Sequence, residues 1–288
     1  MFMRKKLFIF ILLIIGLVSC DVNSKLLDKG ETRDAVGAVD NGVQGDERIK
    51  NIISNGDFSE EVNKAPVEEV VEAGPVIKDE KEELIAAIKK DVNIGMGLIN
   101  SDKKEVEDES QYGMKEVVFK AVTDGVTNKA LDDDLNKDLR RLFYSSLLYD
   151  KERIKEFAEI LNKIGTDGQN KGTWLIDIMD SGIVYLQFNF ERVISKLDKN
   201  KDKLDQLSLD DLREIKSKLE EIQLQRLTWK KSVDAIIVAY KAKKEGIDSD
   251  SKRLISYISE RYKNLITVEI PGIQGVSDKI ISLIDKIK

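Results

Sequence analysis

The sequence of 288 residues contains no histidine and one cysteine. The absence of histidine excludes a Ser-His-Asp triad, a Cys-His pair and any zinc site with an imidazole ligand. A single cysteine excludes an intrachain disulfide, so the fold depends on its hydrophobic core. Neither a Walker phosphate loop nor a dinucleotide-binding motif is present. Carboxylate chemistry stays formally open, but 53 Asp and Glu residues place pairs together by chance. We therefore predict no enzyme, no catalytic residue and no cofactor.

One acidic run has part of the pattern of a metal-binding loop. The run Asp198-Lys199-Asn200-Lys201-Asp202 matches the opening of a calcium-binding loop. Its sixth and twelfth positions should be Gly and Glu, but they are Lys203 and Leu209. We interpret the run as a charged loop between helices, and we predict no metal site.

Proline is scarce as well, with three residues in the chain, whereas Lys, Glu, Leu and Ile are abundant. With 41% hydrophobic and 35% charged residues, the composition is that of a globular protein rich in helix formers. We predict an all-α helical bundle of about five to seven helices. The net charge of −6 argues against nucleic acid and against a polybasic membrane contact.

The N-terminus has the pattern of a bacterial lipoprotein signal. Three basic residues, Arg4 to Lys6, precede the apolar run Leu7–Val18, and Ser19 and Cys20 follow. The run is too short to cross a bilayer as a helix. We predict a signal peptide over 1–19 and lipidation of Cys20 with acyl chains such as palmitate. The protein would then be at the cell surface, anchored to the outer membrane through this lipid alone. The alternative is an ordinary signal peptide with an incidental cysteine.

The mature chain is predicted to have two parts. Residues 20–78 are acidic and glycine-rich and lack an apolar periodicity, which predicts a disordered tether. From Asp79 the apolar residues recur every three to four positions, so 79–288 is predicted to fold as one all-helical domain.

Apolar spacing and capping residues divide this domain into helices. The predicted segments are a helix from Asp79, a short helix over Gln111–Val122, two helices within Leu135–Ile164, and helices over Trp174–Leu197, Ser208–Glu245, Ser251–Ile266 and Ser277–Ile287. Asp150 and Ser208 are predicted N-caps, and Leu135 is predicted to belong to an apolar stripe. We expect Pro271 and Gly272 to separate the last two helices.

The longest predicted helix carries a heptad seam in which Arg226 is the polar member. Core positions predicted from it are Leu219, Ile222, Trp229 and Ile236. The aromatic residues allow two interpretations: a ligand-binding set or the filling of a bundle core. We favour the core, because aromatic side chains supply much of a core's buried area. The residues concerned are Trp174, Phe188, Phe190, Trp229 and Tyr240.

Two regions resemble a known family. The segment Leu139–Asp150, continued by Ile154–Phe157 and by Ile160 and Leu161, and the segment Leu209–Ile222 are similar to the Borrelia paralogous family of outer-surface lipoproteins. The best-known member of that family is complement regulator-acquiring surface protein one. The order of lipoprotein signal, acidic tether and helical domain is also similar. The resemblance covers about 79–288.

The resemblance implies a mostly helical domain. It also implies two possible partners. The founding member of the family pairs with a second copy of itself through its C-terminal helices, and it captures host factor H. No ligand-binding motif of the family can be matched residue by residue. Because the expected break at Pro271 falls in the region that such a dimer needs, we expect a monomer, with a homodimer as the alternative.

Two functions remain open. The first is a surface module that binds host proteins, complement regulators or components foremost, in immune evasion. The alternative is an adhesin for a host or vector ligand such as plasminogen or matrix, without complement binding. Exposed lysines at the C-terminus, Lys286 and Lys288, would serve that alternative.

Overall fold

The computed structural model describes residues 74–167 and 171–287. Within these ranges the β-structure is limited to an isolated antiparallel bridge between Thr123 and Ala130, so the prediction of an all-α bundle is confirmed. The α-helical segments are α1 (Gly74–Asp102), α2 (Lys137–Ser146), α3 (Lys151–Gly165), α4 (Lys171–Asp180), α5 (Asn189–Asn200), α6 (Leu209–Lys241), α7 (Ser251–Asn264) and α8 (Ile270–Ile284). None of these described helices is long and apolar enough to cross a membrane.

The predicted signal peptide, Cys20 and the tether as far as Ala73 lie outside the described residues. Helix α1 begins at Gly74, which is ahead of the boundary predicted at Asp79. Pro75 is the second residue of this helix, where the missing N–H of proline costs no hydrogen bond. The last residues of the predicted tether are therefore helical.

Two pairs of helices are continuous. The wider π-helical turns Ser181–Phe188 join α4 to α5, and Leu265–Glu269 join α7 to α8. The predicted single helix over Trp174–Leu197 is confirmed. The predicted break at Pro271 is wrong, because the chain is helical without interruption from Ser251 to Ile284.

The π turn explains how the helix accommodates Pro271. In a regular α-helix the N–H of residue 271 would bond to the carbonyl of Thr267, and the proline ring would clash there. In the π turn the hydrogen bonds span five residues, as in the bond from Ile270 N–H to the Leu265 carbonyl. Ile270 keeps helical angles of φ −63° and ψ −46° although it precedes a proline.

Both predicted N-caps are confirmed. The Asp150 carboxylate accepts hydrogen bonds from the backbone N–H groups of Glu152 at 3.1 Å and Arg153 at 3.0 Å. The Ser208 hydroxyl accepts one from the N–H of Asp211 at 3.1 Å. These side chains satisfy amide groups that the first turn of a helix leaves unpaired.

Two local predictions are wrong. Leu135 is 71% exposed, since it lies in a 3₁₀ turn over Asp134–Asn136 that precedes α2. The stretch predicted as a helix over Gln111–Val122 is instead a 3₁₀ turn (Gln111–Gly113) followed by a π turn (Lys115–Phe119). Tyr112 has a positive φ of 56° in this turn. Its ring packs edge-on against Tyr144, with 4.9 Å between the centroids, so tertiary packing holds a backbone that the apolar spacing alone does not predict.

The core has two apolar clusters, and α6 crosses both. The N-terminal half of α6 packs with α1, α5 and α8, and its C-terminal half packs with α2, α3, the π turn Ser181–Phe188 and α7. The four predicted seam residues Leu219, Ile222, Trp229 and Ile236 are all buried. Arg226 lies between Ile222 of one cluster and Trp229 of the other. The bundle therefore has a polar layer where its two apolar clusters meet.

Candidate functional site

A cleft of 570 Å³ opens beside this polar layer. Its size is typical of sites that bind a small molecule or a few side chains of a partner. Helix α2, the end of the π turn Ser181–Phe188, helix α5, helix α8 and the residue after α1 form its walls. The lining residues are Lys103, Asp138, Arg141, Leu142, Phe188, Glu191, Arg192, Ser195, Lys196, Lys199 and Ile281.

Helix α5 contributes five of the eleven lining residues, more than any other element, through its periodicity. Phe188, Glu191, Arg192, Ser195 and Lys199 are three or four residues apart, so they share one face of the helix. The opposite face is apolar and fully buried; it consists of Phe190, Val193, Ile194 and Leu197. The amphipathic pattern of α5 thus directs a row of charged side chains into the cleft.

The cleft is basic although the chain as a whole carries a net charge of −6. Its cations come from three elements: Arg141 from α2, Lys103 after α1, and the remaining lysines and arginine from α5. Two carboxylates, Asp138 and Glu191, are also part of the lining. The lining therefore contains five cationic and two anionic side chains, which favours an anionic ligand.

The floor of the cleft is a rigid ion pair. Both Nη atoms of Arg141 donate to the two Glu191 oxygens, at 2.8 and 3.1 Å, and both side chains are largely buried. Burial alone would lower the pKa of Arg141, but the Glu191 carboxylate outweighs it and the pKa lies above its ordinary value. The Gln187 side-chain amide donates to Glu191 Oε1 at 3.0 Å. Such a bidentate pair fixes the orientation of both groups.

Behind this floor lies the buried Arg226. It is 4% exposed, its guanidinium stacks on the Phe190 ring and its Nη2 donates to Gln187 Oε1 at 3.1 Å. No described residue accepts a hydrogen bond from its Nε. Burial lowers the pKa of Arg226 to about 10, a change that Asp102 and Glu191 oppose. The side chain is still charged at neutral pH, and it links the polar layer of the core to the cleft through Gln187 and Glu191.

Exposed ion pairs surround the opening. Arg192 Nη1 is 2.7 Å from Asp278 Oδ1, and Lys196 Nζ is 2.6 Å from Asp285 Oδ1. Asp278 is on α8 and Asp285 directly follows the last residue of α8, and both are more than half exposed. Solvent-exposed pairs of this kind stabilise a protein by about 0–1 kcal/mol, so a ligand can replace the aspartates at little cost.

A second buried ion pair has a structural role. Arg140 is buried and donates to both Glu107 oxygens at 2.7 and 2.8 Å, and the Tyr144 hydroxyl donates to Glu107 Oε1 at 2.8 Å. Arg140 Nη1 also donates to the carbonyls of Leu131 and Asp133. These bonds hold the chain between α1 and α2 against α2.

The aromatic residues considered in the sequence pack in or against the core. Of the aromatic set, Phe190 and Trp229 are buried, while Trp174, Phe188 and Tyr240 are partly buried and pack on the core. Core filling is confirmed for the set, although Phe188 also lines the cleft.

In the run that resembles the opening of a calcium loop, Asp198 pairs with Lys201 at 3.0 Å. Among the described residues no three Asp, Glu or Cys side chains form a group that could hold a metal ion.

The charged residues of the cleft are not predicted from the sequence, whereas Phe188 belongs to the aromatic set that was considered as a ligand site. Arg192, Lys196 and Lys199 have a helical spacing next to Phe188, which is the signal that could have indicated them. Arg141 gives no such signal, because its place in the cleft depends on how α2 packs against α5. Cys20 lies outside the described residues.

Comparisons with known proteins identify the family. A search of curated proteins finds no match. Among solved structures, outer surface lipoprotein BBA64 of Borrelia burgdorferi superposes with a TM-score of 0.67 at 21% identity, covering 73% of this chain and 100% of that one. Outer surface protein BBA65 of the same species gives 0.63 at 24% identity, covering 70% and 99%.

The orthologous protein BSA64 of Borrelia spielmanii gives a TM-score of 0.58 at 24% identity, with coverage of 71% and 98%. At these identities the three structures show a shared fold. The sequence-family model for Borrelia Bbcrasp-1 domain containing proteins matches residues 101–285, which is more than half of the chain. The chain therefore belongs to the Borrelia Bbcrasp-1 domain family.

Proposed function

We propose that this protein is a surface lipoprotein, anchored through Cys20, whose helical domain binds a host protein in complement evasion. Complement regulators and terminal complement components are the first candidates. The observation that supports the proposal most is membership of a family in which the structurally similar relatives are outer surface proteins. The predicted signal peptide and tether agree with a domain displayed away from the membrane.

The chemistry of the chain favours binding over catalysis. Without histidine, and with its single cysteine at the predicted lipidation site, the chain lacks an imidazole general base and a free thiol nucleophile. The cleft instead contains two arginines, a residue type that often dominates binding energy in protein interfaces, together with lysines and the aromatic Phe188. We place the contact with the host protein at this cleft.

The alternative is an adhesin that uses its C-terminal lysines to bind plasminogen or matrix. Lys286 Nζ lies 2.6 Å from Asp211 Oδ1, and Asp211 is 17% exposed, so this pair is less open to exchange than the pairs at the cleft, whose aspartates are more than half exposed. Lys288 lies outside the described residues. We therefore keep the host-protein interaction at the cleft as the main proposal.

Surface plasmon resonance tests the proposal. The soluble mature chain, residues 21–288, is immobilised and exposed to purified factor H, late complement components and plasminogen. Binding of a complement protein below about 10 µM, equal to −6.8 kcal/mol, is the expected result. The charge reversal Lys196→Glu with Lys199→Glu should abolish it, and Lys252→Glu, on α7 away from the cleft, should not. If no complement protein binds, or if only plasminogen binds, the proposal is wrong.

A further inference from the structure

We propose that the cleft recognises an acidic peptide segment in which an apolar side chain is flanked by carboxylates. The inference rests on the proposed function, and it names the chemistry that a partner presents at this site.

The apolar part of the cleft is small and enclosed by cations. Leu142, Phe188 and Ile281 form it, one from each of three elements that meet here. Three side chains cover one apolar residue of a ligand, and they do not make a tunnel for a long acyl chain. The aliphatic stems of the neighbouring lysines extend this apolar surface while their ammonium groups stay in water.

The spacing of the cations on α5 matches that of carboxylates on an extended peptide. Arg192 and Lys199 are seven residues apart, or about 10 Å along the helix axis. Acidic residues four positions apart on an extended chain are about 13 Å apart and point to the same side, as does the residue midway between them. Lysine side chains are long enough to bridge the difference. A segment that presents an acid, an apolar residue and a second acid on one side therefore places its carboxylates against the cations of α5 and its apolar side chain against the apolar part of the cleft.

The floor needs no reorganisation to accept such a segment. Arg141 is held by Glu191, and Glu191 is held in turn by Gln187, which Arg226 contacts from the core. Because these side chains are fixed before binding, little conformational entropy is lost on association. Glu191 is neutralised by Arg141, so it does not repel an incoming carboxylate.

Cations at the rim of the cleft can exchange an aspartate of the chain for a carboxylate of the ligand. Arg192 and Lys196 are paired with the half-exposed Asp278 and Asp285, and the ligand carboxylates replace those aspartates. Lys199 is exposed and makes no ion pair with a described carboxylate, so its ammonium group can bind a ligand carboxylate without displacing another one.

Asp138 also lines the cleft and is exposed, and its negative charge repels a ligand carboxylate. Removing this carboxylate should strengthen binding, an effect of opposite sign to the loss of the lysines.

Fluorescence anisotropy with a labelled probe peptide, Ser-Glu-Asp-Leu-Glu-Asp-Ser, tests the inference on the mature chain, residues 21–288. We expect saturable binding that weakens at least fivefold when ionic strength rises from about 0.05 to 0.5 M, because salt screens exposed charges. Lys196→Gln with Lys199→Gln should weaken binding at least tenfold, and Asp138→Asn should strengthen it twofold or more. The single change Lys252→Gln, which removes one positive charge from α7 outside the cleft, should have no effect.

Peptide variants separate the two parts of the site. Replacing the acids by their amides should abolish binding, and replacing Leu by Ser should weaken it at least threefold. The mature chain itself carries Asp57-Phe58-Ser59-Glu60-Glu61, in which carboxylates flank an apolar residue at a different spacing, and this segment can compete. The titration is therefore repeated with Glu60→Gln and Glu61→Gln, where binding should be equal or tighter.

The inference is overturned if the probe fails to bind both forms of the chain, if the amide peptide binds equally well, or if Lys252→Gln weakens binding as much as the cleft variants do. Its failure is distinguishable from that of the proposed function. A host protein that binds through the cleft while the peptide does not overturns the peptide chemistry alone. A peptide that binds while no host protein does overturns the host-protein proposal alone.

Discussion

The guanidinium carbon of Arg226 lies 3.8 Å from the centroid of the Phe190 ring, inside the polar layer that separates the two apolar clusters of the bundle. The stacking compensates part of the cost of burying this charge, and one hydrogen bond to Gln187 compensates more. The Nε atom stays without an acceptor among the described residues. The charge is therefore buried without full pairing, and its effect on stability can be measured.

The first prediction concerns this side chain. The pKa of Arg226 is lowered in the folded protein, so the charged form is less favourable there than in the unfolded chain. Both states are protonated at neutral pH, so this cost is present throughout the neutral range and is relieved only as the pH rises above about 10. We expect Arg226→Met to leave the free energy of unfolding within about 1 kcal/mol or to raise it.

The control is Arg226→Ala, which removes the same charge but leaves a cavity between Phe190 and the rest of the layer. It should lower the free energy of unfolding by about 2–4 kcal/mol. Urea titrations followed by circular dichroism measure both variants. A loss of more than about 3 kcal/mol for Arg226→Met would show that the guanidinium stabilises the fold, contrary to this prediction.

The second prediction uses two glycines of α1. A Cβ atom at Gly95 would lie 2.8 Å from Ile194 Cδ1 and 2.9 Å from its Cγ1, whereas a Cβ at Gly97 would meet nothing within 4 Å. Gly95→Ala should therefore cost about 1–3 kcal/mol through overpacking between α1 and α5. Gly97→Ala should gain about 0.5–1 kcal/mol through helix propensity. Thermal unfolding of the pair tests this, and equal effects of the two changes would refute it.

The third prediction concerns Arg140, whose buried guanidinium binds Glu107 and the carbonyls of Leu131 and Asp133. Arg140→Ala leaves a carboxylate and two carbonyls without their partner, so it should lower the free energy of unfolding by about 3–5 kcal/mol. Glu107→Gln keeps the shape and an acceptor, and it should cost about 1–2 kcal/mol. Chemical denaturation measures both. A loss below about 1 kcal/mol for Arg140→Ala would show that the pair does not hold the loop.

The features predicted correctly from the sequence are those that depend on short-range patterns. Asp150 and Ser208 cap helices through atoms two or three residues away, so their sequence context suffices. The seam of α6 follows a heptad spacing, and a helix that repeats it must bury that face. The all-α fold follows from the same periodicity along the whole domain.

The features missed in the sequence depend on contacts between distant segments. Leu135 has the spacing of a core residue, but the turn that Asp133 caps directs it to solvent. The helix continues through Pro271 because a π turn precedes it, and a proline alone gives no sign of that turn. The cleft unites residues from Lys103 to Ile281, so no local pattern identifies it.

The fourth prediction concerns the membrane anchor. If Cys20 receives the lipid, Cys20→Ala should move the protein from the detergent phase to the aqueous phase in a phase-partition experiment and should abolish acyl labelling. The physical reason is that each buried methylene of an acyl chain contributes about 0.8 kcal/mol of membrane affinity. Ser19→Ala, which keeps a small residue before the cysteine, is the control and should partition as the parent does. Unchanged partition of Cys20→Ala would refute lipidation.

The last prediction is that the mature protein is a monomer. Because the expected helix break at Pro271 is absent, the reason is the packing of α8 within its own chain. The apolar residues of α8, which include Ile273, Ile280, Leu283 and Ile284, are buried against α1, α5 and α6 of the same chain. Before α8 could be exchanged with a second copy, these side chains would have to be exposed at about 1.5–3 kcal/mol each, which gives the exchange a high barrier. The pairs Lys196–Asp285 and Lys286–Asp211 also hold the end of this helix in place. Light scattering at micromolar concentration should therefore give the mass of one chain, and twice that mass would overturn the prediction.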